Sequence, residues 1–223
     1  MPKLIDQMKR NKLFLIVALP SNDPELAKAA LAGGADALQL SLNAKGTGGL
    51  SEEKADLENI IGLADIPVGL VPGRKGQVSE TELKQLAKMG FDYFSFSLDN
   101  LPDYYANIKG VTKVLALGNR FTIDLVLGVG EYGADAVNAA IIPLSEQGRN
   151  LMVGDLQNYI SIVISAGIPV IIPTQRAIKP SEVAIIADTE AKGLLLTPVV
   201  LGTTAKHIET NTKEFRVAVD DLG

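Results

Sequence analysis

Seven basic side chains stand on segments that follow apolar runs: Lys45, Arg74, Lys75, Arg120, Arg149, Arg176 and Lys179. The acids on those segments are Asp23, Asp99 and Glu146, although the chain as a whole has a formal net charge of −5. A basic rim on an acidic protein focuses its field on an anionic small ligand, most commonly a phosphate monoester. Any single member of the set can instead snorkel into solvent. Three residue types suit proton transfer. Lys75 is either a proton-transferring or Schiff-base amine, if the rim depresses its pKa, or a solvated loop lysine. Asp99 and Glu146 have the chemistry of an acid and base pair, or of carboxylates holding magnesium through water. Asp99, beside Asn100, reads equally well as a helix cap.

A phosphate needs a different set. Gly202-Thr203-Thr204 ends an apolar run and opens a helix, so the glycine allows close backbone approach while the threonines offer hydroxyls and amides. Arg176 is expected to close over the anion and Arg74 to add charge. Replacing Arg176 with alanine is then expected to weaken binding of sugar phosphates and spare the fold. Asn43 and Gln39 suit sugar hydroxyls, although Gln39 also fits the interior. The Gly46-Thr47-Gly48-Gly49 loop is a second anion candidate, or a lid or linker.

Composition narrows the classes. The chain has 223 residues, no cysteine and one histidine, His207. Disulfides and thiolate chemistry are therefore excluded, and a zinc site would need almost all-carboxylate ligands. No cofactor is implied and magnesium stays open. Aromatics make up 5% of the residues and acids outnumber bases, leaving neither a stacking platform nor a basic surface for nucleic acid. The most apolar stretch, Ile160 to Ile172, is interrupted by Ser161, Ser165, Gly167 and Pro169 and is too short to span a bilayer. No charged-then-apolar leader opens the chain, so a cytoplasmic protein is expected.

These residues are positioned by a repeat. Gly34-Ala35-Asp36-Ala37 returns as Gly133-Ala134-Asp135-Ala136, Ile66-Pro67-Val68 as Ile168-Pro169-Val170, and Gly90-Phe91-Asp92 has a weaker counterpart at Gly193. Landmarks that keep their order and spacing point to a duplicated half-unit. Continuous apolar runs alternate with segments of helical period, which predicts an α/β protein: one (β/α)8 TIM barrel over residues 1–223 with a short N-terminal helix. That helix, Pro2 to Arg10, carries Leu4, Ile5 and Met8 on one face and is expected to plug the lower end.

Strands are expected at Leu13 to Leu19, Ala37 to Leu42, Val68 to Val71 and Tyr93 to Leu98 in the first half. The second half is expected to contribute Ala136 to Ile142, Val170 to Ile172 and Leu194 to Leu201. The fifth strand is either Lys113 to Leu117 or Phe121 to Leu127. The repeat selects the former and makes Thr122 to Tyr132 the helix after it. A short helix is expected to open at Asn100-Leu101-Pro102-Asp103, and helix six to span about Gly154 to Ser165. The last helix shows one apolar stripe through Ile208, Thr212, Phe215, Val219 and Leu222. Asp36, Asp92 and Asp135 are expected to serve tight turns at the lower face, away from the chemistry.

Gly167-Ile168-Pro169-Val170-Ile171-Ile172, Arg176, Lys179-Pro180-Ser181-Glu182, Gly202-Thr203-Thr204, Ile208 and Phe215 together resemble the last quarter of the N-acetylmannosamine-6-phosphate 2-epimerase family. More broadly the chain resembles the ribulose-phosphate-binding barrels. The resemblance implies that Arg176, Gly202 and Thr203 hold a phosphate, and that the protein is a phosphosugar isomerase, epimerase or aldolase-like lyase of carbohydrate metabolism. The family's lysine near the end of strand three is not matched by Leu70-Val71-Pro72-Gly73. Its carboxylate after strand seven is not matched by Pro173-Thr174-Gln175. A phosphometabolite-binding barrel without catalysis is the alternative those absences favour. Pro72-Gly73 and Gln77-Val78-Ser79 are similar to the geranylgeranylglyceryl phosphate synthase family, a prenyl-transferring alternative. Its acidic cluster is missing from Pro20-Ser21-Asn22-Asp23. A homo-oligomer is compatible with each of these.

Overall fold

The computed structural model describes residues 3–73 and 77–223. Parallel strands β1 (Phe14–Ala18), β2 (Ala37–Ser41), β3 (Val68–Val71), β4 (Tyr93–Ser97), β5 (Thr112–Ala116), β6 (Ala136–Asn138), β7 (Val170–Pro173) and β8 (Gly193–Leu196) follow one another round a closed barrel, and β8 pairs with β1. This is the TIM barrel expected from the repeat. Around it lie α2 (Pro24–Ala32), α3 (Leu50–Leu63), α4 (Glu80–Met89), α5 (Ile123–Leu127), α6 (Val153–Ala166), α7 (Val183–Ala187), α8 (Pro198–Leu201) and α9 (Ala205–Asp220).

Side chains alternate along each strand. Phe14, Ile16, Ala37, Tyr93, Val114, Ala136, Ile171 and Leu195 fill the interior, and Leu4 and Met8 of α1 (Lys3–Arg10) close it from below. The residues between them, such as Leu15, Leu38, Phe94 and Val137, pack outward beneath the helices. Both strand faces are therefore apolar, which is why the strands read as unbroken hydrophobic runs. Tyr93 lies flat across β3: a Cβ added to Gly69 would stand 2.0 Å from its ring, and its hydroxyl donates to the Leu38 carbonyl at 3.0 Å.

The Gly-x-Asp signature does more than close a turn. The Oδ2 atoms of Asp36, Asp92 and Asp135 accept the backbone N–H of Leu15, Val68 and Lys113 at 2.8, 3.0 and 2.8 Å. The N–H of each aspartate donates back to the carbonyl of the same residue. Each aspartate before an even-numbered strand thus clamps the lower end of the strand preceding it. Gly34, Gly90 and Gly133 have φ of +89°, +121° and +79°, the left-handed backbone that ends the preceding segment and costs other residues strain.

Four expected boundaries are corrected. β8 stops at Leu196, because Thr197 caps the amide of Val199 and Pro198 opens α8, so Val199 to Leu201 is helical. β6 stops at Asn138, where the amides of Ala140 and Ile141 turn back to the carbonyls two residues earlier and leave the ladder. The α-helical part of the fifth crossover is five residues long, since Gly128 and Gly130 lead into turns before Gly133. In place of a short helix after β4 there are two 3-10 turns, Leu98–Asn100 and Tyr105–Asn107.

Candidate functional site

At the upper end of the barrel, the inward positions divide by strand. The odd-numbered strands present Ala18, Val71, Ala116 and Pro173, continuing the faces of Ile16, Gly69, Val114 and Ile171. The even-numbered strands and the residue after β8 present Gln39, Ser41, Ser95, Ser97, Asn138 and Thr197. Alternate strands of such a barrel supply alternate layers, so polar groups on every second strand converge toward the axis. Among the described residues these inward groups are all uncharged.

Asn138 is the unusual member. It is 6% exposed, and its Oδ1 has no hydrogen-bond partner. An unmet buried acceptor costs about 1–3 kcal/mol, so its position at a barrel mouth calls for a ligand donor. The signal in the sequence was a polar residue inside the apolar run Ala136-Val137-Asn138-Ala139. Asn43, expected as a binder of hydroxyls, follows β2 in a left-handed conformation, φ +53°, against the backbone of Gly73, and its Nδ2 is likewise buried without a partner. One unmet donor and one unmet acceptor match what a hydroxyl offers.

Among the described residues, three basic members of the expected rim, Arg120, Arg149 and Arg176, face carboxylates. Arg176 is 6% exposed; its Nε and Nη2 donate to the two carboxylate oxygens of Asp155 at 2.8 and 3.0 Å. Its Nη1 donates to Oε2 and to the backbone carbonyl of Glu146, both at 3.0 Å. The hydrogen bonds it donates to Asp155 are the chief reason the guanidinium pKa is raised above its ordinary value, against the opposing effect of burial. Glu146 is held from its other oxygen by Arg149 at 2.9 Å, and Asp155 also accepts the amide of Met152 at 2.9 Å. Arg176, expected to close over an anion, here ties the loops after β6 and β7 to the start of α6. In the sequence Asp155 has the place of an ordinary acid in a first helical turn, which carries no sign of its pairing with Arg176.

Asp99 lies in the 3-10 turn after β4, facing Arg120 at 3.6 Å, and makes no cap. No hydrogen bond or ion pair joins it to Glu146 among the described residues. Lys45 and Lys179 are exposed. Arg74 and Lys75 lie outside the described residues. Among the described residues, no three carboxylate or imidazole groups gather as a metal site, and no helix is long and apolar enough to cross a membrane.

Gly202, Thr203 and Thr204 link α8 to α9, one helical turn beyond the position expected for them. Gly202 has φ +73°, Thr203 and Thr204 are exposed, and the Thr204 hydroxyl caps α9 by accepting the amide of His207 at 3.4 Å. The glycine-rich loop carries an internal anion instead of awaiting one: the Gly48 and Gly49 amides donate to Glu53 and Glu52 at 2.6 and 3.1 Å. Buried Asn22 fixes Glu53 from the β1 side at 2.7 Å and also donates to the Ser41 carbonyl. Above β7 and β8, Thr174 and Thr197 exchange side-chain and backbone bonds of 2.8 to 3.2 Å, which joins the two strand ends.

No family model matches the sequence, and no curated protein matches it. Solved structures do match. Tryptophan synthase from Mycobacterium tuberculosis superposes with a TM-score of 0.78 at 16% identity, over 97% of this chain and 96% of that one. Thiamine phosphate pyrophosphorylase from Pyrococcus furiosus gives 0.72 at 19% identity over 96% and 98%. The N-acetylmannosamine-6-phosphate 2-epimerase from Clostridium perfringens gives 0.63 at 19% identity over 96% and 95%. At these identities the likeness is one of fold, and the barrel implied by the sequence resemblance is met at that level.

Proposed function

We propose that the chain binds a small phosphorylated metabolite of the sugar-phosphate class at the mouth formed by the carboxyl ends of the strands. The observation that carries the reading is the buried, unmet Oδ1 of Asn138, on the same strand face as interior Ala136. Separate ligand hydroxyls, one donating to Asn138 and one accepting from Asn43, would meet the two open groups. The phosphate would lie against the amides and hydroxyls of Gly202, Thr203 and Thr204 at the start of α9, with Arg74 adding charge. Arg176 would act indirectly, by holding the loop after β6.

A second reading makes the protein a phosphosugar isomerase, epimerase or aldolase-like lyase. It is favoured by the names of its structural neighbours, which include an epimerase of a sugar phosphate. Asp99 and Glu146 each face arginines, so the proton-transferring group in that reading is Lys75.

Calorimetric titration with pentose and hexose phosphates tests the binding reading. Asn138→Ala should weaken binding about 10-fold to 100-fold. Its stability should stay level or rise by about 1 kcal/mol, because an orphaned acceptor is removed. Equal affinity in wild type and variant, or no binding of any sugar phosphate, overturns the reading. Turnover that Lys75→Ala abolishes while binding persists supports the second reading; absence of turnover on the same panel rejects it.

A further inference from the structure

Helix α6 is apolar on both sides. Its buried stripe is Asp155, Tyr159, Ile162 and Ala166, spaced four, three and four residues apart. Val153, Gln157, Ile160 and Ile164 repeat that spacing on the opposite side, where Val153 and Ile164 are 72% and 77% exposed. The charged residue within the helix is Asp155, and it turns inward onto Arg176. An outer helix face ordinarily carries charges, as α9 does with Lys206, Glu209 and Lys213. Large apolar side chains exposed on such a face gain free energy when they are covered. Ser161, on this outer side, needs no water, since its hydroxyl donates to the Gln157 carbonyl at 2.8 Å. Beside it lies α5, whose last residue, Leu127, is exposed, followed by exposed Tyr132 in the turns after α5.

We propose that this face is the seam of a two-fold homodimer in which α6 packs antiparallel on α6 of a second copy. Charge selects the second copy as occupant. Molecules of net charge −5 repel one another, and they meet most easily where the contacting helix presents no charged side chain. A foreign partner of opposite charge would find nothing on α6 to recognise. Geometry agrees: a two-fold axis at the middle of the stripe sets Val153 opposite Ile164 of its symmetry mate and Gln157 opposite Ile160, so the stripe complements itself. Gly154 and Ser161, being small, let the two helices approach.

Sedimentation equilibrium of the wild-type chain should give twice the 23.6 kDa of the monomer. Val153→Glu with Ile164→Glu should raise the dimer dissociation constant at least about 100-fold, since like charges would face one another across the seam. Both sites are exposed in the monomer, so circular dichroism and Tm of the dissociated variant should match an intact barrel. The absence of cysteine allows a second measurement. Under oxidation Gln157→Cys should form a covalent dimer, while Lys213→Cys on α9 should stay monomeric. A wild-type monomer at all accessible concentrations, an association untouched by the double substitution, or equal cross-linking from both cysteines overturns the proposal.

Discussion

Arg176 illustrates how a residue of the right type can be occupied by its surroundings. Its guanidinium satisfies Asp155 in a two-point contact and reaches Glu146 with a third nitrogen. Deleting one member of a buried pair leaves the other charge uncompensated, which costs far more than the intact pair contributes. Arg176→Ala should therefore lower unfolding stability by about 3–5 kcal/mol in urea titrations, against the expectation that the fold is spared. The double substitution Arg176→Met with Asp155→Leu should recover most of that loss. A single variant as stable as wild type would show that the tie is inert. The sequence displayed the ingredients, an arginine after one apolar run and Glu146 after another, but their pairing spans 30 positions and depends on how two loops fold over each other. Asn138 was open to reading, since an amide within an apolar strand demands a partner. What hid it was the single-residue view of the Ala136 motif as an echo of Ala37.

Strands are held from below by a device used three times, and β3 by a ring laid across it. Asp135 accepts the Lys113 amide where β5 begins, so Asp135→Ala should cost about 1–3 kcal/mol, and Asp36→Ala and Asp92→Ala should each cost about as much. A neutral result at all three would mean that the backbone bonds alone set the ladder. Gly69→Ala should be more severe, about 3 kcal/mol or beyond, because the new methyl meets the Tyr93 ring at 2.0 Å with no free space to move into. Partial recovery on adding Tyr93→Leu would identify the clash as the cause. The repeat made these elements legible: it selected the fifth strand correctly and placed the aspartates at the lower face. It failed where the two halves diverge. Thr197-Pro198 is a helix start set directly after the apolar strand Gly193–Leu196, and the apolarity of Val199-Val200-Leu201 concealed the change of state. At Gly128 and Gly130, paired glycines ended a helix that the first half continues.

At the scale of the molecule, the two ends of the barrel differ in chemistry. The lower end is closed by α1 and by apolar or clamped groups, while the upper end carries inward amides and hydroxyls. Tyr93, Tyr105 and Tyr159 are buried and carry phenols that water does not reach. Burial pushes the Tyr93 phenol far above its ordinary range, with Asp92 adding to the effect. Tyr105 and Tyr159 are raised mainly by burial too, and secondarily by Asp135 and Asp155. The sign of the pH dependence follows. These groups stay protonated in the native state, whereas in the unfolded chain a tyrosine ionises near pH 10, so unfolding releases protons at higher pH. Their contribution is complete below about pH 10 and is lost progressively above it, with fully buried Tyr93 alone giving a slope of about 1.4 kcal/mol per pH unit. Stability measured by urea titration between about pH 9 and 11 should fall along that course. Tyr93→Phe should flatten the decline, although it starts lower for want of the bond to the Leu38 carbonyl. If the variant lost stability with pH as steeply as wild type, the buried phenol would not be the group that couples alkaline conditions to the opening of the barrel.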